Sequence, residues 1–298
     1  MTSRLMKKYI NYLTKEKKLS ENTVSSYLRD IRQLYEYAAD SGITDLCDVT
    51  RQVLVTYIIY MQRAGKASSS ITRGIVSIRS FYNFAVIMGY VEKDPTEGLE
   101  VPKSEEHTVS ILTQEEIKSL LDYPKAVDFK GYRDKAMLEL LYATGIKVSE
   151  LIAIKMDEVE LADSYIICGT GSRRRAVPMG EMAQLAVSRY VKHARERQLV
   201  EKQDPELFLN LSGQALTRQG FWKILKDYKK KANISSDITP HTLRHTFAMH
   251  MLENGTEIRD VQTLLGNNSG SSSAMYKKML DKRIEEIYKK AHPRANKK

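Results

Sequence analysis

Within Thr239-Pro240-His241-Thr242-Leu243-Arg244-His245, two imidazoles and a guanidinium recur at spacings of three and four, the repeat of one helix face. Pro240 favours a helix start, because the N–H it lacks is one that a first turn does not need. A helix start offering His and Arg together suits a phosphate. The first-turn N–H groups and the helix dipole favour negative charge, and an arginine can bridge two oxygens of one anion. The plain alternative is that His241 and Arg244 only cap and cover the helix end. Zinc fits poorly: His241 and His245 stand at i, i+4, but no acidic residue of a metalloprotease motif lies between them. No metal and no other cofactor is expected.

Other side chains could join this chemistry. Tyr276 follows His241 by 35 residues, behind the polar bridge Asn267-Asn268-Ser269-Gly270-Ser271-Ser272-Ser273. It is one of 17 tyrosines, and alone it would read as a core or surface residue. Arg173-Arg174-Arg175 form a basic cluster, either a solvated turn or a set of phosphate contacts. Arg73 and Arg79 lie opposite an apolar stripe, and Arg218 and Lys223 flank Trp222, the only tryptophan. Trp222 reads as core packing rather than a base-stacking platform.

The elements that must position these groups are mostly helical. Ser20 is a plausible cap for a helix with Val24, Tyr27, Leu28, Ile31, Leu34 and Tyr35 on one face. Val53–Met61 predicts a heavily apolar helix, and Ser68-Ser69-Ser70 opens another with Ile71, Ile75, Ile78, Tyr82 and Ala85 on a stripe. The pattern then breaks at Asp94-Pro95, Gly98 and Pro102, which reads as a connection. Thr113 and Glu116 form a capping box that starts a second domain. Tyr132–Tyr142 predicts a helix closed by Gly145, and Ser149-Glu150-Leu151 starts the next. The period then shortens. Tyr165–Cys168 and Arg174–Val177 are β-prone around a turn at Gly169–Ser172, which predicts a hairpin with Arg173-Arg174-Arg175 at its tip. The domains expected are a helical one over 1–91, a linker over 92–110, and a mainly α domain with a small β-hairpin or sheet over 111–298.

Bulk composition narrows the partners. The 298 residues carry 47 Lys plus Arg against 37 Asp plus Glu, a formal charge of +10. Such a balance points to nucleic acid first and an anionic membrane surface second. No strongly amphipathic basic helix supports the membrane, and no clustered aromatics support RNA. No segment approaches the ~20 apolar residues of a span, and no signal-type apolar run follows the N-terminus. Cys47 and Cys168 are too few and too far apart for a disulfide framework. A cytoplasmic location is expected.

Four ordered blocks then give a family resemblance. HTLRHTFAMHML resembles the His-x-x-Arg box of tyrosine recombinases of the phage-integrase and Xer type. LLGNNSGSSSAMY resembles the family's Leu-Leu-Gly-His stretch before its nucleophilic tyrosine. ATGIKVSEL (143–151) and GTGSRRRAVP (169–178) resemble the family's Ala-Thr-Gly-Leu-Arg-x-Ser-Glu-Leu block and Gly-Lys-Gly-x-Lys-x-Arg-x-x-Pro hairpin. The N-terminal half, ending in GYVEKDPTEGLEVPK, is similar to the family's core-binding domain. The resemblance implies that Tyr276 attacks a DNA phosphodiester to form a 3′-phosphotyrosyl bond, which stores the broken linkage without ATP or metal. It makes Arg244 and His241 stabilisers of the transition-state charge, with Lys147 and Asn267 in two further active-site positions. Glu150 would support Lys147. Arg173, Arg174, Arg175, Arg73, Arg79 and Arg218 would meet DNA. The fold implied is a helical core-binding domain followed by a catalytic-type domain, the two clamping duplex DNA.

Three positions depart from the family. Lys147 stands for an arginine and keeps charge but not the planar grip. Thr170 stands for the hairpin lysine whose general-acid role is worth ~10²–10⁴-fold. Asn267 stands for a histidine. Two functions therefore compete: a recombinase of reduced activity, and an impaired member that binds DNA as a regulatory or accessory protein. The segment KRIEEIYKKA (282–291) resembles one by which family members dock on a neighbour, so a homo- or hetero-tetramer assembled on double-stranded DNA is expected.

Overall fold

A computed structural model describes residues 3–100, 110–198, 205–266 and 275–280. The chain divides into two compact units, Met1–Thr108 and Val109–Lys298.

The first unit is a helical bundle of α1 (Ser3–Asn11), α2 (Glu21–Asp40), α3 (Arg51–Arg63) and α4 (Ser68–Ile87), with a π-helical turn at Tyr12–Glu16 prolonging α1. Caps fix the starts. Ser20 Oγ accepts the Thr23 N–H at 3.3 Å, and Thr50 Oγ1 accepts that of Val53 at 3.4 Å. The stripes read from the sequence converge on a core that includes Tyr9, Leu13, Ile31, Leu34, Leu54, Ile75 and Phe81. Each such side chain contributes roughly 1.5–3 kcal/mol on leaving water. Tyr82, inside this core, satisfies its hydroxyl on the Leu46 carbonyl at 2.8 Å. Residues 92–100, expected within the connection, pack on this unit: Leu99 is buried in its core, and Arg51 donates to the Gly98 carbonyl at 3.0 Å.

The second unit begins with α5 (Gln114–Asp122), whose capping box is complete: Thr113 N–H meets Glu116 Oε2 at 3.0 Å, and Glu116 N–H meets Thr113 Oγ1 at 3.2 Å. Helix α6 (Phe129–Thr144) is buried on most sides, against α8 (Glu181–Tyr190) and α11 (Pro240–Glu253). Its polar interior residues are paired: Arg133 Nε donates to Asp134 Oδ1 at 2.8 Å, and the Tyr228 hydroxyl donates to Asp134 Oδ2 at 3.0 Å. Helix α7 (Val148–Leu151) is a single turn. An antiparallel sheet follows, in the order β1 (Val159–Glu160), β2 (Tyr165–Cys168), β3 (Arg175–Pro178). The rest is α9 (Glu196–Gln198), α10 (Arg218–Lys231), α12 (Ile258–Leu265) and the helical residues 275–280.

Two details correct the sequence reading. The hairpin tip is a 3-10 turn, Gly171–Arg173, and Arg175 belongs to β3 opposite Cys168. It shares the inward face with buried Val177, two residues on, so it cannot sit at the tip. Trp222 is half-buried on α10 rather than a core residue, with the Lys226 ammonium 5.2 Å over its ring. That contact covers an amphipathic ring at the surface. Among the described residues, no helix is long and apolar enough to cross a membrane.

Candidate active site

Helix α11 carries the His-Arg cluster, and local chemistry fixes where it starts. Thr239 Oγ1 accepts the Thr242 N–H at 3.0 Å, and Pro240 is the first helical residue. From that start, residues 241–250 point in different directions. His241 is exposed on the first turn, Arg244 is buried, and His245 is half-buried. His250 is buried on the far side, bonded to the Tyr142 hydroxyl at 2.9 Å through Nδ1 and to the Leu112 carbonyl at 3.1 Å through Nε2. It ties α11 to α6 and to the chain entering the unit.

Arg244 is anchored by backbone. It donates to the Gly145 carbonyl at 2.8 Å and to the Leu265 carbonyl at 2.7 Å. Both carbonyls end helices, where C=O groups lack intrahelical partners and carry partial negative charge. Gly145 closes α6 in the left-handed region (φ +60°), and a Cβ there would come within 2.2 Å of the Phe247 ring. The glycine thus permits both the turn and the close approach of α11.

The same helix end receives a second arginine. Arg175 Nε donates to the Leu264 carbonyl at 2.8 Å, while its two terminal nitrogens reach Glu150 at 2.8 and 3.3 Å. Glu150 also accepts the Lys147 backbone N–H at 2.8 Å. Burial works against a charged Glu150, but Arg175 and the Lys147 N–H hold its carboxyl below the usual range, with Arg244 adding to the effect. For Arg175, burial is likewise outweighed by Glu150, and its pKa rises. The expected support of Lys147 by Glu150 is therefore a backbone contact; the carboxylate's side-chain partner is Arg175.

Tyr276 closes the cluster. Its side chain is 1% exposed and packs with Phe247, Met249, Leu252, Val261 and Leu265. The hydroxyl escapes this apolar setting at one point: it lies 3.1 Å from His245 Nδ1. The His241 ring stands 6.4 Å beyond that of His245. Burial, helped by the charges of His241 and Arg244, lowers the His245 pKa to about 4. The ring is thus neutral at neutral pH, and in its Nε2–H tautomer Nδ1 accepts the phenol proton. Burial raises the Tyr276 pKa, with Arg244 pulling the other way. For Arg244, burial lowers the pKa while Tyr276 and Glu150 oppose it. The proton therefore stays on the phenol in this arrangement.

Of the residues singled out from the sequence, Arg244 and Tyr276 gather here, with the Lys147 backbone on Glu150 and His241 at the rim. Thr170 is exposed and precedes the 3-10 turn. Arg173 and Arg174 are exposed, the latter 3.6 Å from Glu158, and Arg218 is exposed at the start of α10. Arg73 is turned to Asp30 at 2.9 Å, and Arg79 to the Leu99 carbonyl. Asn267, the polar bridge 267–273 and the segment 282–291 lie outside the described residues. Sequence reasoning assigned no role to His245 as the partner of Tyr276 or to Arg175 as the partner of Glu150. A signal existed for each: the i, i+4 spacing from His241, and the two-residue alternation with Val177.

Known proteins share this sequence pattern and this fold. Residues 110–283 match the phage integrase family, and residues 6–89 match the phage integrase N-terminal SAM-like domain. The chain is 39% identical over 292 residues to the tyrosine recombinase XerD of Staphylococcus epidermidis, covering 98% of this chain and 99% of that one. It is 38% identical over 294 residues to the XerD of Listeria monocytogenes, with coverages of 98% and 99%. Among solved structures, the Tn1549 transposon integrase in complex with a circular intermediate DNA superposes with a TM-score of 0.75 at 18% identity, covering 94% of this chain and 99% of that one. The XerA recombinase gives 0.55 at 24%, covering 99% and 100%. This chain belongs to the phage integrase family of tyrosine recombinases.

Proposed function

We propose that the protein is a site-specific recombinase that binds duplex DNA, cuts one strand through Tyr276 as a 3′-phosphotyrosyl intermediate, and rejoins it. The single supporting observation is charge. Arg175 pairs with Glu150, and buried Arg244, whose charge acts on both Glu150 and the Tyr276 phenol, adds a second guanidinium, so two fixed cations face one carboxylate. Fixed cations around a reacting group suit the extra charge of a phosphoryl transition state, and held in place they need no reorganisation. In this reading Arg244, Lys147 and His241 receive the phosphate, and Asn267 adds a neutral donor. DNA draws the phenol off His245 toward the phosphorus. The O–P bond from Tyr276 forms as the bond to the 5′ oxygen breaks, and the proton lost by the phenol is balanced, through water, by one gained at that 5′ oxygen. The exposed arginines Arg173, Arg174 and Arg218 contact the DNA backbone, and the protein works as a tetramer on its site. DNA-bound relatives support this: the Tn1549 integrase and a lambda integrase dimer bound to a core site share the fold.

One feature favours a second reading, a DNA-binding member that does not cut. Thr170 occupies the hairpin position of the family's lysine, and a threonine hydroxyl cannot replace an ammonium as proton donor. A nicked suicide duplex decides. The recombinase reading expects a protease-sensitive protein–DNA adduct that vanishes in Tyr276→Phe; tight, salt-dependent binding with no adduct would establish the other.

A further inference from the structure

Arg175 receives no phosphate in the cleavage scheme, yet its guanidinium makes three hydrogen bonds within the protein. It leaves β3 and reaches two other segments: Glu150 on α7, three residues from Lys147, and the Leu264 carbonyl at the end of α12. Arg244 holds the next carbonyl, Leu265, so the last turn of α12 is fastened by two arginines from different parts of the chain. Gly266 follows in the left-handed region (φ +63°), and a Cβ there would lie 2.8 Å from the Arg175 guanidinium carbon. The chain leaving that turn is the one that carries Tyr276.

We infer that Arg175 is a positioning residue for strand cleavage: it locks the hairpin, the Lys147–Glu150 turn and the exit of α12 into one register, and so sets where the Tyr276 segment emerges. Its three bonds run to a carboxylate and a carbonyl within the protein, which is unlike a side chain that waits for DNA. A lysine cannot take its place, because one ammonium cannot span the fork to Glu150 and also reach Leu264. The Arg175 contact also keeps Glu150 beside buried Arg244, so losing it disturbs the charge balance of that arginine.

The inference rests on the recombinase reading, and its test separates the two. Adduct formation on the nicked duplex is followed at saturating DNA, with affinity measured separately, for Arg175→Lys, Arg175→Ala and Gly266→Ala. Displacing a reacting group by an ångström costs on the order of 10²-fold. A loss of that size in rate is expected for all three variants, with affinity within about twofold of wild type. The Arg175→Ala and Gly266→Ala losses should not multiply when combined, since both open the same joint. Amide hydrogen exchange over 261–266 and 275–280 should quicken in Arg175→Lys. A drop in affinity and its salt slope with an unchanged saturated rate would make Arg175 a phosphate contact and overturn the inference. A lower melting temperature with rate and exchange unchanged would overturn it as well. If wild type forms no adduct, the recombinase reading fails, and hydrogen exchange alone decides this one: unchanged exchange in Arg175→Lys refutes the joint.

Discussion

The core of the first unit and the Tyr276 site of the second bury charge in opposite ways. In the first, Asp30 is 4% exposed and meets one cation, Arg73, plus the Ser77 hydroxyl at 2.8 Å. The charges balance and the network is complete. At the Tyr276 site of the second, Glu150 is bonded by Arg175 and also feels the charge of Arg244, and both arginines hold helix-end carbonyls. Positive charge is in excess, and the phenol of Tyr276, packed in an apolar setting, meets His245 through its hydroxyl. A balanced pair serves the fold. An unbalanced, rigidly mounted one prepares a surface for an anion, and the fold bears the desolvation cost of keeping it.

The comparison breaks most visibly at the three family departures. Lys147→Arg, Thr170→Lys and Asn267→His together should raise the rate of adduct formation by ~10²–10⁴-fold, the usual weight of a general acid. No gain would mean that these positions do not limit the chemistry. Arg244→Ala should lower that rate by ~10²–10³-fold, as losing one preorganised donor does, whereas Arg73→Ala should leave the saturated rate alone. Arg73 is half exposed but its partner is buried, so its removal should instead lower the stability of the first unit by about 2 kcal/mol, read from denaturant unfolding. Equal effects of the two variants on both readouts would erase the distinction between the units.

A finer effect separates His245 from its surroundings. Its pKa is depressed to about 4 in the folded chain, below the 6.5 of a free histidine. Between those values the unfolded chain binds the proton and the folded one does not, so stability falls as pH drops from 6.5 toward 4. The loss at pH 4.5 should be on the order of 2 kcal/mol, allowing for partial solvent contact. His245→Gln, which keeps a hydrogen-bonding side chain but cannot titrate, should flatten that slope in unfolding measured across pH. An unchanged slope would place the proton uptake elsewhere. The smallest effect belongs to the α11 cap: Thr239→Ala should cost about 1 kcal/mol of stability, because the Thr242 N–H loses its acceptor.

Much of the architecture was legible because it depends on local rules. Ser20, Thr113 and Thr239 announce helix starts through side chains that satisfy neighbouring N–H groups, and Gly145 announces a stop through its left-handed φ. The composition of the site was legible for the same reason: His241, Arg244 and Tyr276 belong to blocks whose order identifies the family. What the blocks do not encode is direction. Arg173, Arg174 and Arg175 look alike in sequence, yet one residue of strand pairing turns Arg175 inward while Arg174 stays at the surface. His241 and His245 likewise share a helix face, but only the second lies deep enough to meet a phenol from the far end of the chain. Trp222 misled because a lone large aromatic beside Phe221 implies a core, and the lysine one turn later that covers its ring does not reveal its geometry by spacing. Such distinctions arise from packing between segments distant in sequence.

The depth of the Tyr276 ring has a practical corollary. With 1% of its surface open to water, this residue should be silent to tyrosine-seeking reagents such as iodine or tetranitromethane while the protein is alone. If DNA draws the phenol out of its apolar setting, labelling with DNA present should exceed labelling without it, and the difference would time the uncovering.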